Sequence, residues 1–248
     1  MRFPGQRIAK HYFPVTGKAR PRRADEAAAA GWTLVGLDQV LVDMEVETPA
    51  GFAEEMGIVR GESVQLDEPG FQRLVGQIER RGFPCRYAAG GTVANTLNNY
   101  VHLSGEPAVL LGAIQGAISP HDPAFRYVAQ TPPAVDLTHL RAVDGLVGTA
   151  VTFIFPDGER SFAVAPGVSN ELSPEDVPAQ VVRSAAAVLT TLYTLIDPAW
   201  PIAAATRRLM TLANEADVPV AFGLGTAGLV RRMRDEVREL LRRQVTTT

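Results

Sequence analysis

Three short stretches hold residue types that can bind a ligand rich in hydroxyl groups. Asp43 closes the segment Val35-Gly36-Leu37-Asp38-Gln39-Val40-Leu41-Val42-Asp43, Gly90 and Gly91 open Gly90-Gly91-Thr92-Val93-Ala94-Asn95, and Arg160 follows the turn residues Pro156-Asp157-Gly158. A carboxylate accepts hydrogen bonds from two neighbouring sugar hydroxyls at once, and the amide of Asn95 can both donate and accept. Paired glycines at a helix start let backbone N–H groups come close to a ligand. Each feature also has a plain structural reading. Asp43 can be an ordinary strand-end acid, Gly90-Gly91 a tight turn, Asn95 a residue on a solvated helix face and Arg160 a solvated charge beside a hairpin. Types and spacing leave both readings open.

The elements that must position these residues follow from the hydrophobic pattern. Thr33–Leu37 is a short apolar run that predicts a buried strand, and Leu41–Glu47 alternates as a half-exposed one. Phe71, Leu74, Val75 and Ile78 repeat at helical spacing before Gly82, and Val93, Leu97, Tyr100 and Val101 do so just after Gly90-Gly91. Ala108–Leu111, Ala186–Leu189 and Val218–Phe222 predict further buried strands, with a helix around Ile202–Ala216. A final helix is predicted with Val230, Met233, Val237, Leu240 and Leu241 on one face. Strands alternating with helices indicate an α/β fold with a parallel sheet. Val151–Phe155 and Ser161–Val164 flank Pro156-Asp157-Gly158 as a hairpin, which does not belong in such a sheet. With Leu41–Glu47 it predicts a small separate β-layer, placed as a lid over the strand ends.

Composition narrows the classes. A chain of 248 residues with 46% hydrophobic content can bury a substantial core. A formal net charge of −3 favours neither nucleic acid nor an acidic membrane surface as partner. Cys85 is the single cysteine and cannot form an internal disulfide, and there is no Cys/His cluster with metal-ligand spacing. The sequence lacks the ~18 consecutive apolar residues of a membrane-spanning helix and the apolar run of a secretory signal. These observations predict a soluble, cytoplasmic protein. Residues 1–32 read as a basic N-terminal extension, because seven arginines and lysines precede the first acid, Asp25. Pro4, Gly5, Pro14 and Pro21 break the amphipathic helix that a transit peptide would need, so a solvated extension is the expected reading.

The same residues carry a resemblance. Gly90-Gly91-Thr92-x-x-Asn95 resembles the first signature of the ribokinase/PfkB family, and the Gly36 to Asp43 segment resembles its opening strand. Further stretches are similar to the bacterial inosine-guanosine kinases of that family: Arg2-Phe3-Pro4-Gly5, Lys10-His11-Tyr12-Phe13-Pro14-Val15, Val35-Gly36-Leu37-Asp38-Gln39, Asn98-Asn99-Tyr100, Val109-Leu110-Leu111-Gly112, Gly158-Glu159-Arg160-Ser161-Phe162-Ala163 and Leu224-Gly225-Thr226. They occur in order from residue 2 to about residue 226. The resemblance implies the N-terminal part of a ribokinase-like three-layer α/β/α sandwich with a small β-lid. It also implies ATP-dependent phosphorylation of inosine or guanosine at the 5'-hydroxyl in purine salvage, with ATP and Mg2+ as cofactors. Carried over residue by residue, it gives Asp43 the ribose hydroxyls, makes Gly90, Gly91 and Asn95 the rest of the sugar pocket, and puts Arg160 on the lid. The roles of Asp38 and Gln39, where many members have other residues, stay open.

The family's second signature, Gly-Ala-Gly-Asp, is absent from the sequence, as is Asn-x-x-Glu. The expectation is therefore a C-terminally truncated kinase: residues 33–248 form the substrate-binding part, with lid strands near 41–47 and 150–164, and the ATP-binding and catalytic half is missing. No catalytic residue and no metal ligand is assigned. Such a chain is expected to be inactive alone and to expose sheet through which it could self-associate. The alternatives are another sugar or nucleoside kinase of the family and a non-catalytic nucleoside-binding fragment. A competing motif, Gly223-Leu224-Gly225-Thr226-Ala227-Gly228, fits G-x-G-x-x-G and follows a predicted strand. A dinucleotide fold needs a further strand and an acid about 20 residues on, so a structural turn is the expected reading here.

Overall fold

The computed structural model describes residues 34–243, and the basic N-terminal extension lies outside the described residues. In chain order the strands are β1 (Leu34–Leu37), β2 (Leu41–Glu47), β3 (Ser63–Gln65), β4 (Cys85–Ala89), β5 (Ala108–Gln115), β6 (Val135–Asp136), β7 (Leu140–Val143), β8 (Gly148–Ile154), β9 (Arg160–Ala165), β10 (Ala187–Thr191) and β11 (Val220–Gly223). The helices are α1 (Ala50–Glu55), α2 (Glu68–Arg80), α3 (Thr92–Ser104), α4 (Pro123–Gln130), α5 (Ala179–Arg183), α6 (Pro201–Glu215), α7 (Ala227–Arg232) and α8 (Arg234–Arg243).

The continuous apolar runs become a parallel sheet, as strands buried on both faces must. Its order is β11-β10-β1-β5-β6, and β7 pairs with the far end of β5. Every pairing in it is parallel. Alternation sorts the side chains of β5 into two cores. Val109, Leu111 and Ala113 face one side, where Ile202, Leu209 and Met210 of α6 and Leu229 of α7 pack. Ala108, Leu110 and Ile114 face the other, where Val93, Leu97 and Val101 of α3 and Tyr127 of α4 pack. Helices on both faces of one sheet are the three layers that the sequence resemblance implied.

Leu41–Glu47 and the hairpin form a second sheet of order β3-β9-β8-β2-β4. Two of its pairings are parallel and two antiparallel. One face is apolar: Met44, Val46, Val151, Phe153 and Ala163 pack on Phe52 of α1 and on Leu74 and Ile78 of α2. α2 starts where Asp67 accepts a hydrogen bond from the Gly70 N–H at 2.8 Å, satisfying one of the orphan amides of a helix start. The hairpin and β2 share a separate sheet as expected, and β3 and β4 extend it at both edges. One expectation needs correction. The single final helix is two helices broken at Met233, yet Leu229, Val237 and Leu240 all stay in one core; the break keeps the apolar stripe in phase, so periodicity does not register it. No helix among the described residues is long and apolar enough to cross a membrane.

Candidate functional site

The chain leaves the carboxyl end of β1 through Asp38, Gln39 and Val40 and enters the second sheet as β2. That crossing lies at the carboxyl ends of the parallel strands, where α/β proteins place their ligands. A cavity of about 290 Å3 opens there, bounded on one side by the second sheet and near the lower end of the ~300–1,000 Å3 of small-molecule sites.

Strand alternation builds its wall. The face of the second sheet opposite α1 and α2 presents Leu41 and Asp43 from β2, Ser63 and Gln65 from β3, Ala150 from β8, and Arg160, Phe162 and Val164 from β9. The register joins them: Asp43 is paired with Ala150, Ala150 with Val164, Gln65 with Val164 and Ser63 with Phe162. Gly91, Thr92 and Asn95 close the cavity from the start of α3, and Asp38, Gln39 and Tyr193 from the parallel sheet.

Of the residues singled out in the sequence, Asp43, Gly91, Asn95 and Arg160 line this one cavity, although they come from three elements. Gly90 stands behind it. A Cβ on Gly90 would lie 2.4 Å from the Asp43 carboxylate, so the carboxylate occupies the space that a side chain would take. Gly91 has φ of +91° and caps α3; that conformation and a Cβ position 3.1 Å from the Gln39 carbonyl oxygen leave room only for glycine. Burial, with Glu45 adding repulsion, pushes the Asp43 carboxyl up to about 6, and the Arg160 guanidinium tempers the rise.

Asp38 turns out to be a tie between layers. It is 3% exposed and accepts hydrogen bonds from the Val93 N–H at 3.0 Å and the Thr191 hydroxyl at 3.2 Å. Its carboxylate thus satisfies the start of α3 from inside the protein and pins the end of β10 to the end of β1. The first amides of α3, which the glycine pair suggested for a ligand, are in part engaged by this side chain. Burial raises the Asp38 carboxyl to about 6 against those hydrogen bonds. Gln39 donates to Asn170 at 2.6 Å, fixing the crossing segment to the turn after β9. Beneath both aspartates Tyr127 is fully buried, and burial followed by the two carboxylates raises its phenol.

Gly223–Gly228 is packed against protein. A Cβ on Gly225 would meet the Tyr193 ring at 2.9 Å and one on Gly228 would meet the Glu62 carboxylate at 2.7 Å. Thr226 caps α7 by accepting from the Leu229 N–H at 3.3 Å. With the Tyr193 ring packed on Gly225 and the Glu62 carboxylate on Gly228, the segment is a strand-to-helix turn whose glycines are packed against side chains. Ser63, Gln65, Phe162 and Tyr193 had no signal in the sequence analysis, because β3 is three residues long and their convergence depends on strand pairing.

No protein-family model matches the chain. It is 35% identical over 230 residues to the guanosine-inosine kinases of Escherichia coli strains K12 and O157:H7, across 91% of this chain and 53% of each relative. The chain therefore spans about half the length of the curated relatives it matches. Among solved structures it resembles the adenosine kinase from Sinorhizobium meliloti, with a TM-score of 0.73 and 24% identity over 86% of this chain and 62% of that one. A probable sugar kinase protein from Rhizobium etli CFN 42 gives a TM-score of 0.72 and 21% identity, with the same coverages. The adenosine kinase of Anopheles gambiae gives 0.69 and 15%, over 84% of this chain and 64% of that one. The ribokinase-like fold and the resemblance to inosine-guanosine kinases are borne out by these similarities.

Proposed function

We propose that this chain binds a purine nucleoside and that it is the nucleoside-holding part of a kinase transferring the γ-phosphate of ATP to the 5'-hydroxyl of inosine or guanosine. The observation that carries the reading is the convergence of Asp43, Gly91, Asn95 and Arg160 on one cavity, in a chain 35% identical to guanosine-inosine kinase. In this reading Asp43 accepts from the ribose 2'- and 3'-hydroxyls, two charge-assisted hydrogen bonds in a half-buried setting. Asn95 supplies a donor and an acceptor beside the sugar, and the absent side chains of Gly90 and Gly91 let ribose and carboxylate meet. Arg160 keeps Asp43 ionised near neutral pH. The second sheet, as a lid, excludes water from the hydroxyl to be phosphorylated.

Binding and orientation are what these residues support. Phosphoryl transfer depends on groups that stabilise the moving phosphate and on a base for the hydroxyl, and the sequence contains neither Gly-Ala-Gly-Asp nor Asn-x-x-Glu. Among the described residues no three His, Cys, Asp or Glu side chains converge as metal ligands would. Mg2+ bound with ATP takes one or two carboxylates beside the phosphates. At this cavity the Asp38 carboxylate is held by the Val93 N–H and the Thr191 hydroxyl, and Asp43 by the ribose in this reading, so the described cavity residues do not fit Mg2+ with ATP. Calorimetric titration of the 248-residue chain with inosine and guanosine tests the reading: saturable micromolar binding is expected, and a flat titration with both nucleosides would overturn it.

A further inference from the structure

Away from Asp43 the cavity wall changes character. Phe162, Val164 and Ala150 offer an apolar surface beside Ser63 and Gln65, whose side chains are polar. An apolar wall with a polar border suits a flat heteroaromatic ring, which is apolar on its faces and hydrogen-bonding at its edge. Resting on the nucleoside reading above, this part of the cavity is where the base would sit once the ribose is held by Asp43.

Gln65 stands out within it. It is the last residue of β3, held in place by parallel pairing with Val164, and it lies between this cavity and an adjoining one lined by Glu62, Tyr193, Thr226 and Arg232. Its amide oxygen is shut off from solvent and has no hydrogen-bond partner among the described residues. A buried carbonyl oxygen without a donor carries a desolvation cost that a ligand donor removes. The terminal torsion of a glutamine is soft and roughly two-fold, so the amide can turn its oxygen toward a ligand without moving the strand. We propose that Gln65 is a specificity-determining residue: its carbonyl oxygen accepts from an N–H on the edge of the base. The site would then favour nucleosides whose base carries such a donor, as N1–H of a 6-oxopurine does, over otherwise similar bases without one.

The test compares inosine with purine riboside, which lacks both the 6-oxo group and the N1 proton, by calorimetry on the wild-type chain and on Gln65→Met. Methionine keeps the length and removes the acceptor, and a thermal melt of each protein checks that it is folded. Wild type is expected to bind inosine about 5- to 10-fold more tightly than purine riboside, the ratio that one neutral hydrogen bond supports. In Gln65→Met the ratio falls to near one while purine riboside affinity changes less than about two-fold. A folded Gln65→Met that keeps the wild-type ratio, or a wild type that binds both nucleosides equally, would overturn the assignment of Gln65 and leave the nucleoside reading standing. A wild type that binds neither would overturn that reading, and the inference with it. If Gln65→Met does not fold, Gln65→Leu and Gln65→Ala are measured in the same way, and loss of the ratio in whichever folds is the expected result.

Discussion

The two sheets of this molecule use alternation in opposite ways. In the parallel sheet both faces are covered, so β5 is buried at seven successive positions and none of those seven side chains is free for a ligand. In the second sheet helices pack on one face and the cavity lies against the other; β8 at its centre is buried at six successive positions, but β2 reads intermediate, buried, intermediate, buried along its length. The buried positions Met44 and Val46 hold the sheet to its helices, which leaves Asp43 to the cavity. In the proposed reading, stability and recognition are divided between sheets, and along β2 between alternate residues. This division makes distinguishable claims about substitutions on each surface.

The largest effect belongs to the parallel sheet. Leu111 is fully buried, and Leu111→Ala should lose about 3–4 kcal/mol of stability through lost burial and a cavity, measured by urea unfolding. Under conditions where that variant stays folded, nucleoside affinity should be nearly unchanged. A large loss of affinity in a folded Leu111→Ala would show that the two roles are not separated.

On the cavity face the order reverses. Asp43→Asn should weaken inosine binding by about 100-fold, or roughly 2.7 kcal/mol, the scale of losing charge-assisted bonds to two hydroxyls. Its melting temperature at pH 7 should not fall, since the substitution removes an ionised carboxylate held in a desolvated place. Calorimetry and a thermal melt check both halves of the prediction.

Titration sharpens the contrast further. With the Asp43 carboxyl at about 6, the ionised fraction falls from about nine-tenths at pH 7 to about one-tenth at pH 5, so inosine affinity should drop about 10-fold over that interval. Stability runs the other way. Asp38 and Asp43 both hold their protons more tightly in the folded chain than in the unfolded one. Their favourable share is full below about pH 4 and is lost as pH rises through about 6. Titrations and melts across pH 4.5 to 7.5 should therefore show affinity rising while this contribution to stability declines. The smallest effect is Arg160→Met. Removing the charge that tempers Asp43 should shift the midpoint of the affinity profile upward and cost about two- to three-fold in binding at pH 7.

Much of this arrangement was legible in the residues, and the reasons it stopped are local. β2 and the hairpin flanking Pro156-Asp157-Gly158 fall where alternation and turn residues placed them. The glycine pair opens α3 as expected. Ser63–Gln65 and Cys85–Ala89 were not legible, because each is short and neither carries a continuous apolar run; their strand character comes from pairing with β9 and β2. The cavity followed the same limit. Asp43, Gly91, Asn95 and Arg160 announce themselves by type or by motif, whereas Phe162 looks like any strand aromatic until β3 is placed beside it. Asp38 is the instructive case, since its motif position gave no role and only the hydrogen bonds from Val93 and Thr191 do.

Two ties of the crossing segment join residues far apart in the chain. Asp38 and Thr191 are 153 residues apart, and Gln39 and its partner Asn170 are 131 apart. β1, at the middle of the parallel sheet, finds one neighbour in β5 and its other only in β10. A ribosome must therefore release nearly two hundred residues before the crossing segment can be locked, while β2, β8 and β9 can already pair with one another. Contacts this distant in sequence close slowly and leave apolar edges uncovered in the interval. The β8–β9 hairpin should form early in refolding, and protection of the β10 amides, whose strand pairs with β1 across about 150 residues, should appear late.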